Sequence, residues 1–334
     1  MANLYCALDA GTVSTCMLCA TRDEANGTRA LLRRARVTDL GEGVDASGSL
    51  LPQAIGRTVD CIADYLAQAR GLAREQGLSL VSCLTATSAA RDASNSRDLT
   101  ARLEELGLKP QVIAGTDEAA LGLLGVTGDF MGTTVEVCDI GGGSTELSCG
   151  SRDAQGRLVQ LGAASLNIGA RRVCERFLAC PDDEPCDPAA VRRARDFARS
   201  VFDAHLSQHA NLPETLACVG GTATTLVAVL AELDPYDSDF VHLRQTGRDA
   251  LHDLTERLLC MSTLERRGLV GLQPKRAHVI HAGALILDEL VEVGGWPGFV
   301  TSESNSLFGV VECMHAQAVG IQPPLSWNPQ MLRG

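Results

Sequence analysis

The chain has 334 residues, 45% of them hydrophobic and 21% charged, with a formal net charge of −12. That length is a prior for two domains with sizeable cores. The acidic balance excludes a general polyanion-binding surface, so a polyphosphate or nucleotide would have to be drawn to a local basic groove, and an aromatic content of only 4% argues against base-stacking platforms for a nucleic-acid polymer.

Strands are predicted at about 4–9, 15–20 and 30–38, followed by a long helix at about 53–76 whose Ile55, Val59, Ile62, Ala63 and Leu66 fall at helical spacing. A strand at about 80–85 leads into Thr85–Asn95, then a short helix near 97–106, a strand at 111–114 and a helix at 117–125. This alternation describes an α/β half. The glycine-rich segment Gly125–Thr134 breaks it, which places an N-terminal domain at 1–126 and a C-terminal domain at 127–310. The second half opens with strands near 134–140, 145–149 and 158–167 and helices near 169–178 and 188–209. A strand at 216–219 then runs into a helix to about 232, followed by helices at 246–261 and 274–290 and a short strand at 299–301. A last helix near 305–317 is expected to pack back on the first domain, with residues 311–334 forming its end and a Pro-rich tail.

The thirteen cysteines are scattered, mostly in apolar runs (Cys6, Cys61, Cys83, Cys138, Cys218, Cys260), and their number is odd. With no signal-peptide pattern at Met1, they read as reduced, core-filling thiols of a cytoplasmic protein. Cys16 and Cys19 have CxxC spacing, but in a strand they face opposite sides, so no shared metal is expected there. None is expected at Cys174, Cys180 and Cys186 either. No apolar run reaches the roughly 18 residues of a membrane span, so no membrane partner is expected.

The segment Asp-x-Gly-x-x-Ser-Thr occurs twice, as Asp9–Thr15 (DAGTVST) and Asp139–Thr145 (DIGGGST), each after a strand-like run. It supplies a carboxylate, backbone N–H groups laid open by glycine, and two hydroxyls, the parts of a phosphate and metal-water site. Polar hairpin turns would explain one copy. Two copies point to two related domains gripping one phosphorylated ligand from opposite sides. Asp9 and Asp139 can each hold a magnesium-bound water, Gly141, Gly142 and Gly143 let N–H groups approach phosphate, and Glu146 is a second metal-side carboxylate or an exposed strand charge. Arg91 stands at a strand-to-helix turn, where it clamps a phosphate or pairs with Asp92 or a neighbour. Asp117 and Glu118 fall in the first turn of a helix, a place the macrodipole already explains, with Thr116 available as a cap. Chemistry alone does not single out Glu118. Val219–Thr225 is a third glycine loop, with Gly220, Gly221 and Thr222. The pairs Arg171–Arg172, Arg266–Arg267 and Lys275–Arg276 are candidates for the basic groove, Arg171, Arg267, Lys275 and Arg276 foremost, or else solvated helix faces.

Taken in order, DAGTVS, TATSAARDASN, IAGTDEA, DIGGGSTEL, SLNIGARR, VGGTATTL, KRAHVIHAGALIL and TSESNSLFG resemble the exopolyphosphatase/guanosine pentaphosphatase (Ppx/GppA) family from about residue 4 to residue 311. The resemblance implies the sugar-kinase/actin/Hsp70-like fold: an α/β chain of two ribonuclease-H-like (actin-like ATPase) domains with an interdomain cleft, in the short two-domain form. It implies hydrolysis of a terminal phosphoanhydride with Mg2+ or Mn2+, acting on inorganic polyphosphate or guanosine pentaphosphate (pppGpp), and a homodimer, since family members are often dimers. The family's catalytic glutamate falls on Glu118 and its phosphate-side arginine on Arg91. The metal and phosphate positions fall on Asp139, Gly141, Gly142, Gly143, Ser144 and Glu146, on Asp9, Gly11, Thr12 and Ser14, and on Gly220, Gly221 and Thr222. Two departures stand out. Val13 occupies a place where the family has a polar Asn, making the first loop the weaker one, and His278 replaces an Asp. Val13 motivates a competing reading, a non-catalytic sensor of polyphosphate or an alarmone; a kinase is the least supported reading.

Overall fold

The computed structural model describes residues 2–23, 27–153, 155–209 and 211–333. In chain order the elements are β1 (Asn3–Ala10), β2 (Ser14–Asp23), β3 (Gly27–Val37), α1 (Val44–Ser47), α2 (Pro52–Gln76), β4 (Ser79–Ala86), α3 (Ser88–Asp92), α4 (Ser96–Glu104), β5 (Pro110–Val112), α5 (Gly115–Val126), β6 (Val135–Ile140), β7 (Thr145–Arg152), β8 (Leu158–Leu166) and α6 (Ala170–Val173). After a π-helical turn at Cys174–Leu178 come α7 (Pro188–Leu206), β9 (Thr215–Val219), α8 (Gly220–Leu230), α9 (Ser238–Val241), β10 (Gln245–Gly247), α10 (Arg248–Cys260) and α11 (Thr263–Arg266). A 3-10 turn at Pro274–Arg276 precedes α12 (Ile280–Gly294), β11 (Gly298–Thr301), α13 (Ser306–Val319) and β12 (Leu332–Arg333).

These elements form two compact units: Met1–Gly128 together with Asn305–Gly334, and Asp129–Ser304. Unit 1 holds a sheet ordered β12-β4-β1-β2-β3, with β5 beside β4. Strands β1, β2 and β3 form an antiparallel meander, and β4 runs parallel to β1. Helix α2 lays Ile55, Val59, Ile62 and Leu66 on this sheet, where they join Leu4, Leu8 and Leu84 in one apolar core. Pro52 at its first turn costs no hydrogen bond there. Helix α13 lies directly on α5: a Cβ on Gly309 would overlap the Leu121 carbonyl, so the approach needs glycine.

Unit 2 repeats the plan. Its sheet is ordered β10-β11-β9-β6-β7-β8, with β6–β8 an antiparallel meander and β9 parallel to β6. Helices α7, α8, α10 and α12 contribute to its core, around Phe202, Leu226, Leu258 and Leu285. Asp187 caps α7 by accepting from Ala190 N at 2.9 Å. Antiparallel three-strand meanders with a parallel fourth strand, overlaid by helices, give both units the ribonuclease-H-like arrangement the resemblance implies.

Several local expectations need correction. The helix expected from 246 starts only at Arg248, because Gln245–Gly247 pairs with β11. The helix expected from 274 starts at Ile280, after a 3-10 turn, because Ala277 O is drawn to the Arg266 Nε at 2.9 Å. The helix expected at 169–178 is an α-turn continued by a π-turn. All thirteen cysteines are free thiols, but Cys260 is exposed rather than core-filling. No helix among the described residues is long and apolar enough to cross a membrane.

Candidate active site

The two Asp-x-Gly loops join β1 to β2 and β6 to β7 in the same register. Asp9 faces Cys16 and Ala10 faces Thr15; Asp139 faces Glu146 and Ile140 faces Thr145. In each loop the first glycine closes the turn, Gly11 N donating to Ser14 O at 3.1 Å and Gly141 N to Ser144 O at 3.0 Å. The chemistry differs between the copies. Cys16 stands where Glu146 stands, so only unit 2 puts two carboxylates side by side on one face of adjacent strands.

The parallel neighbour sharpens that contrast. On β4 the residue facing Asp9 is Thr85, whose Oγ1 donates to Asp9 Oδ1 at 2.9 Å. On β9 the residue facing Asp139 is Val219, which cannot donate. Burial therefore pushes the Asp139 carboxyl up to about 6, and no donor pairs with it among the described residues. Glu146 is buried and held by Ser165 Oγ, which donates to its Oε1 at 2.6 Å. A divalent cation would relieve the desolvated Asp139. Among the described residues no cluster of three or more His, Cys, Asp or Glu side chains forms a metal cage. An acidic pair that leaves most positions to water and phosphate oxygens suits magnesium.

The third glycine loop, between β9 and α8, closes on the same place in unit 2. A Cβ on Gly220 (φ 78°) would overlap Asp139 Oδ1, and one on Gly221 would overlap the Arg276 guanidinium. Thr222 Oγ1 donates to Ile140 O at 3.0 Å, so its proton ties this loop to the end of β6. The basic candidates part company. Arg276 reaches the third loop. Arg171 is buried, bonded to Glu175 at 3.1 Å and to His278 Nε2 at 2.9 Å. Arg267 instead makes an exposed ion pair with Asp182 at 2.9 Å, and Lys275 is exposed. Arg266 is fully buried, donating to Ala277 O, Leu258 O, Met261 O and Thr263 Oγ1, which is a structural use.

In unit 1, Arg91 and Glu118 meet. Arg91 ends α3 and its Nη1 donates to Glu118 Oε2 at 3.1 Å and to Ile113 O at 3.0 Å. Glu118 is thus an ion-pair partner of Arg91. Thr116 does not cap α5, which starts at Gly115 with no side-chain cap. Both charged groups are partly buried, at 24% and 16% side-chain exposure, so they keep access to water. In the sequence Thr85 is only part of a hydroxyl-rich strand end and Ser165 carries no motif; their roles depend on strand register.

Two related units, each with an acidic glycine hairpin and a parallel fourth strand, give the chain a two-unit ribonuclease-H-like fold. The chain belongs to the Ppx/GppA phosphatase family, whose model matches residues 20–293, and so to a family of hydrolases. It is 31% identical to Exopolyphosphatase 2 of Mycobacterium tuberculosis over 91% of this chain and 96% of that protein. It resembles the crystal structure of the Aquifex aeolicus Ppx/GppA family member with a TM-score of 0.75 and 25% identity, covering 95% and 99% of the two chains. An exopolyphosphatase structure from Cytophaga hutchinsonii shares the fold with a TM-score of 0.80 at 20% identity, covering 95% and 98%.

Proposed function

We propose that the chain is a metal-dependent exopolyphosphatase that removes the terminal phosphate of inorganic polyphosphate. The observation that carries this reading is the Arg91–Glu118 pair on a unit that also bears a phosphate-type loop. The full-length likeness to a protein named an exopolyphosphatase supports it.

Glu118 takes the role of base. Held by Arg91, it can orient a water and accept its proton as the new P–O bond forms and the terminal P–O–P bridge breaks. Arg91 carries positive charge to where the equatorial phosphate oxygens gain negative charge. In unit 1 the glycine-loop N–H groups and Ser14 take phosphate oxygens; in unit 2 the glycine-loop N–H groups and Ser144 do the same, and Arg276 at the third loop adds positive charge. In unit 2, Asp139 and Glu146 would hold Mg2+ or Mn2+, which when bound would neutralise phosphate charge and stabilise the leaving oxygen.

The test is phosphate release from short and long polyphosphate and from guanosine pentaphosphate with magnesium, for wild type and Glu118→Gln. Wild type should release phosphate from polyphosphate, and the variant should turn over about 10²–10⁴-fold more slowly while still binding. Equal turnover by the two proteins would remove Glu118 from the mechanism. Faster release from guanosine pentaphosphate than from polyphosphate would overturn the substrate assignment.

A further inference from the structure

The internal repeat is longer than the seven-residue loop. In both units the last residue of the motif is fully buried and bonds to the segment that follows the third strand. Thr15 Oγ1 meets Thr38 Oγ1 at 2.8 Å, and Thr145 Oγ1 donates to Ile168 O at 2.6 Å, each partner lying 23 residues further along. The same segments hold the loop carbonyls. In unit 1, Gly41 N donates to Thr12 O at 2.8 Å, and Thr38 N and Asp39 N donate to Val13 O at 3.0 and 2.9 Å. In unit 2, Ala170 N donates to Gly141 O at 2.9 Å, Arg171 N and Arg172 N donate to Gly142 O at 2.9 and 3.1 Å, and Arg172 Nε donates to Gly143 O at 2.7 Å. Each segment also contains one glycine with no room for a side chain. A Cβ on Gly41 would overlap Thr12 Cγ2, and one on Gly169 would lie 2.5 Å from the carbonyl carbon of Gly143.

A trans peptide presents its C=O and N–H on opposite sides. With the carbonyls of Gly141, Gly142 and Gly143 drawn to residues 170–172, the N–H groups of Gly142, Gly143 and Ser144 are turned the other way, as an anion-binding row. No backbone carbonyl accepts from these three among the described residues. In unit 1 the same argument turns out the N–H groups of Val13 and Ser14.

We propose that residues 38–41 and 168–172 are latches that aim the two loops' N–H groups at phosphate, with Thr15, Thr145, Gly41, Gly169 and Arg172 as positioning residues. This rests on the reading that the loops bind phosphate. It also gives the departure at Val13 a sense: its side chain is buried and its carbonyl takes two N–H groups, so this loop is set through its backbone without a polar side chain.

The test compares Thr145→Val and Thr15→Val, which lose the hydroxyl and keep the shape, with Thr145→Ser and Thr15→Ser, which keep the hydroxyl. The readouts are tripolyphosphate affinity by calorimetry and KM and kcat for phosphate release with magnesium. The valine variants should bind about tenfold more weakly and raise KM by about as much, with kcat changed less, and the serine variants should bind like wild type. A purely structural role would lower Tm and leave Kd and KM alone, which would overturn the latch. Should the valine variants fail to fold, Arg172→Ala decides for unit 2: unchanged affinity overturns it. Affinity that follows the latch, with no phosphate released by wild type from any polyphosphate, would uphold the latch and sink the hydrolase reading. No binding of tripolyphosphate by wild type would sink both.

Discussion

Asp9 and Asp139 hold equivalent places in two related hairpins, but the residue facing each on the parallel neighbour differs, Thr85 against Val219. That difference makes one a hydrogen-bonded carboxylate and the other a desolvated one, and it sits beside the second difference, Cys16 against Glu146. The metal side of the proposed site therefore belongs to unit 2. Ser165 is the support of that site, because its hydroxyl fixes Glu146. Replacing it, Ser165→Ala, should raise the magnesium concentration for half-maximal activity roughly tenfold and leave kcat at saturating metal near wild type. A magnesium titration with an unshifted midpoint would contradict this. The carboxylates and glycines were legible in the sequence because the motif repeats. Thr85 and Ser165 were not, because their relevance comes from which strand lies beside which. Glu118 was masked by a local explanation, since any helix welcomes an acid in its first turn; its partner Arg91 approaches only when α3 and α5 are folded side by side.

Among the elements, β6 carries a cost as well as the loop. Glu136 is buried on this central strand opposite Cys149, and burial pushes its carboxyl from 4.5 up to about 7, a bond from Cys149 offsetting part of the rise. The folded state thus holds this proton more tightly than the unfolded chain. Its contribution to stability is full below about 4.5 and is lost as pH rises through about 7. Glu136→Gln should flatten that fall and raise stability at pH 8 by on the order of 1–3 kcal/mol. Thermal melts against pH check it, and parallel curves for the two proteins would refute it. Strand and helix order was readable from periodicity over long, regular stretches such as α2. It failed where a tertiary partner takes over the backbone: β10 exists because β11 is there to pair with it, and α12 starts late because the buried Arg266 claims Ala277 O. The two-residue β12 carries no pattern of its own and forms only against β4.

At the scale of the whole molecule, the two units are held by different means. Unit 2 ties α7, α10 and α12 through charge: Arg195 bonds to Asp288 at 2.8 Å, to Glu289 at 2.5 Å and to Glu256, while Arg199 takes the other oxygen of Glu289 and His252 shares Asp288 Oδ2 with Arg195. Asp288 and Glu289 are buried, so losing their main cation strands them. Arg195→Ala should destabilise unit 2 by roughly 3 kcal/mol, and scanning calorimetry should show a transition moved to lower temperature while that of unit 1 stays in place. One undivided, unshifted transition would contradict it. Unit 1 depends instead on a late segment, α13, lying on α5 and β1. That discontinuity bears on synthesis. On the ribosome the earlier part of unit 1 is completed by a later segment: unit 2, continuous in the chain, can close as soon as Ser304 is out, while α5 waits with its apolar face bare until Ser306–Val319 follows. A nascent chain halted just before Asn305 would carry a completed second unit and an open first one, so the unit that bears Arg91 and Glu118 is the later of the two to mature.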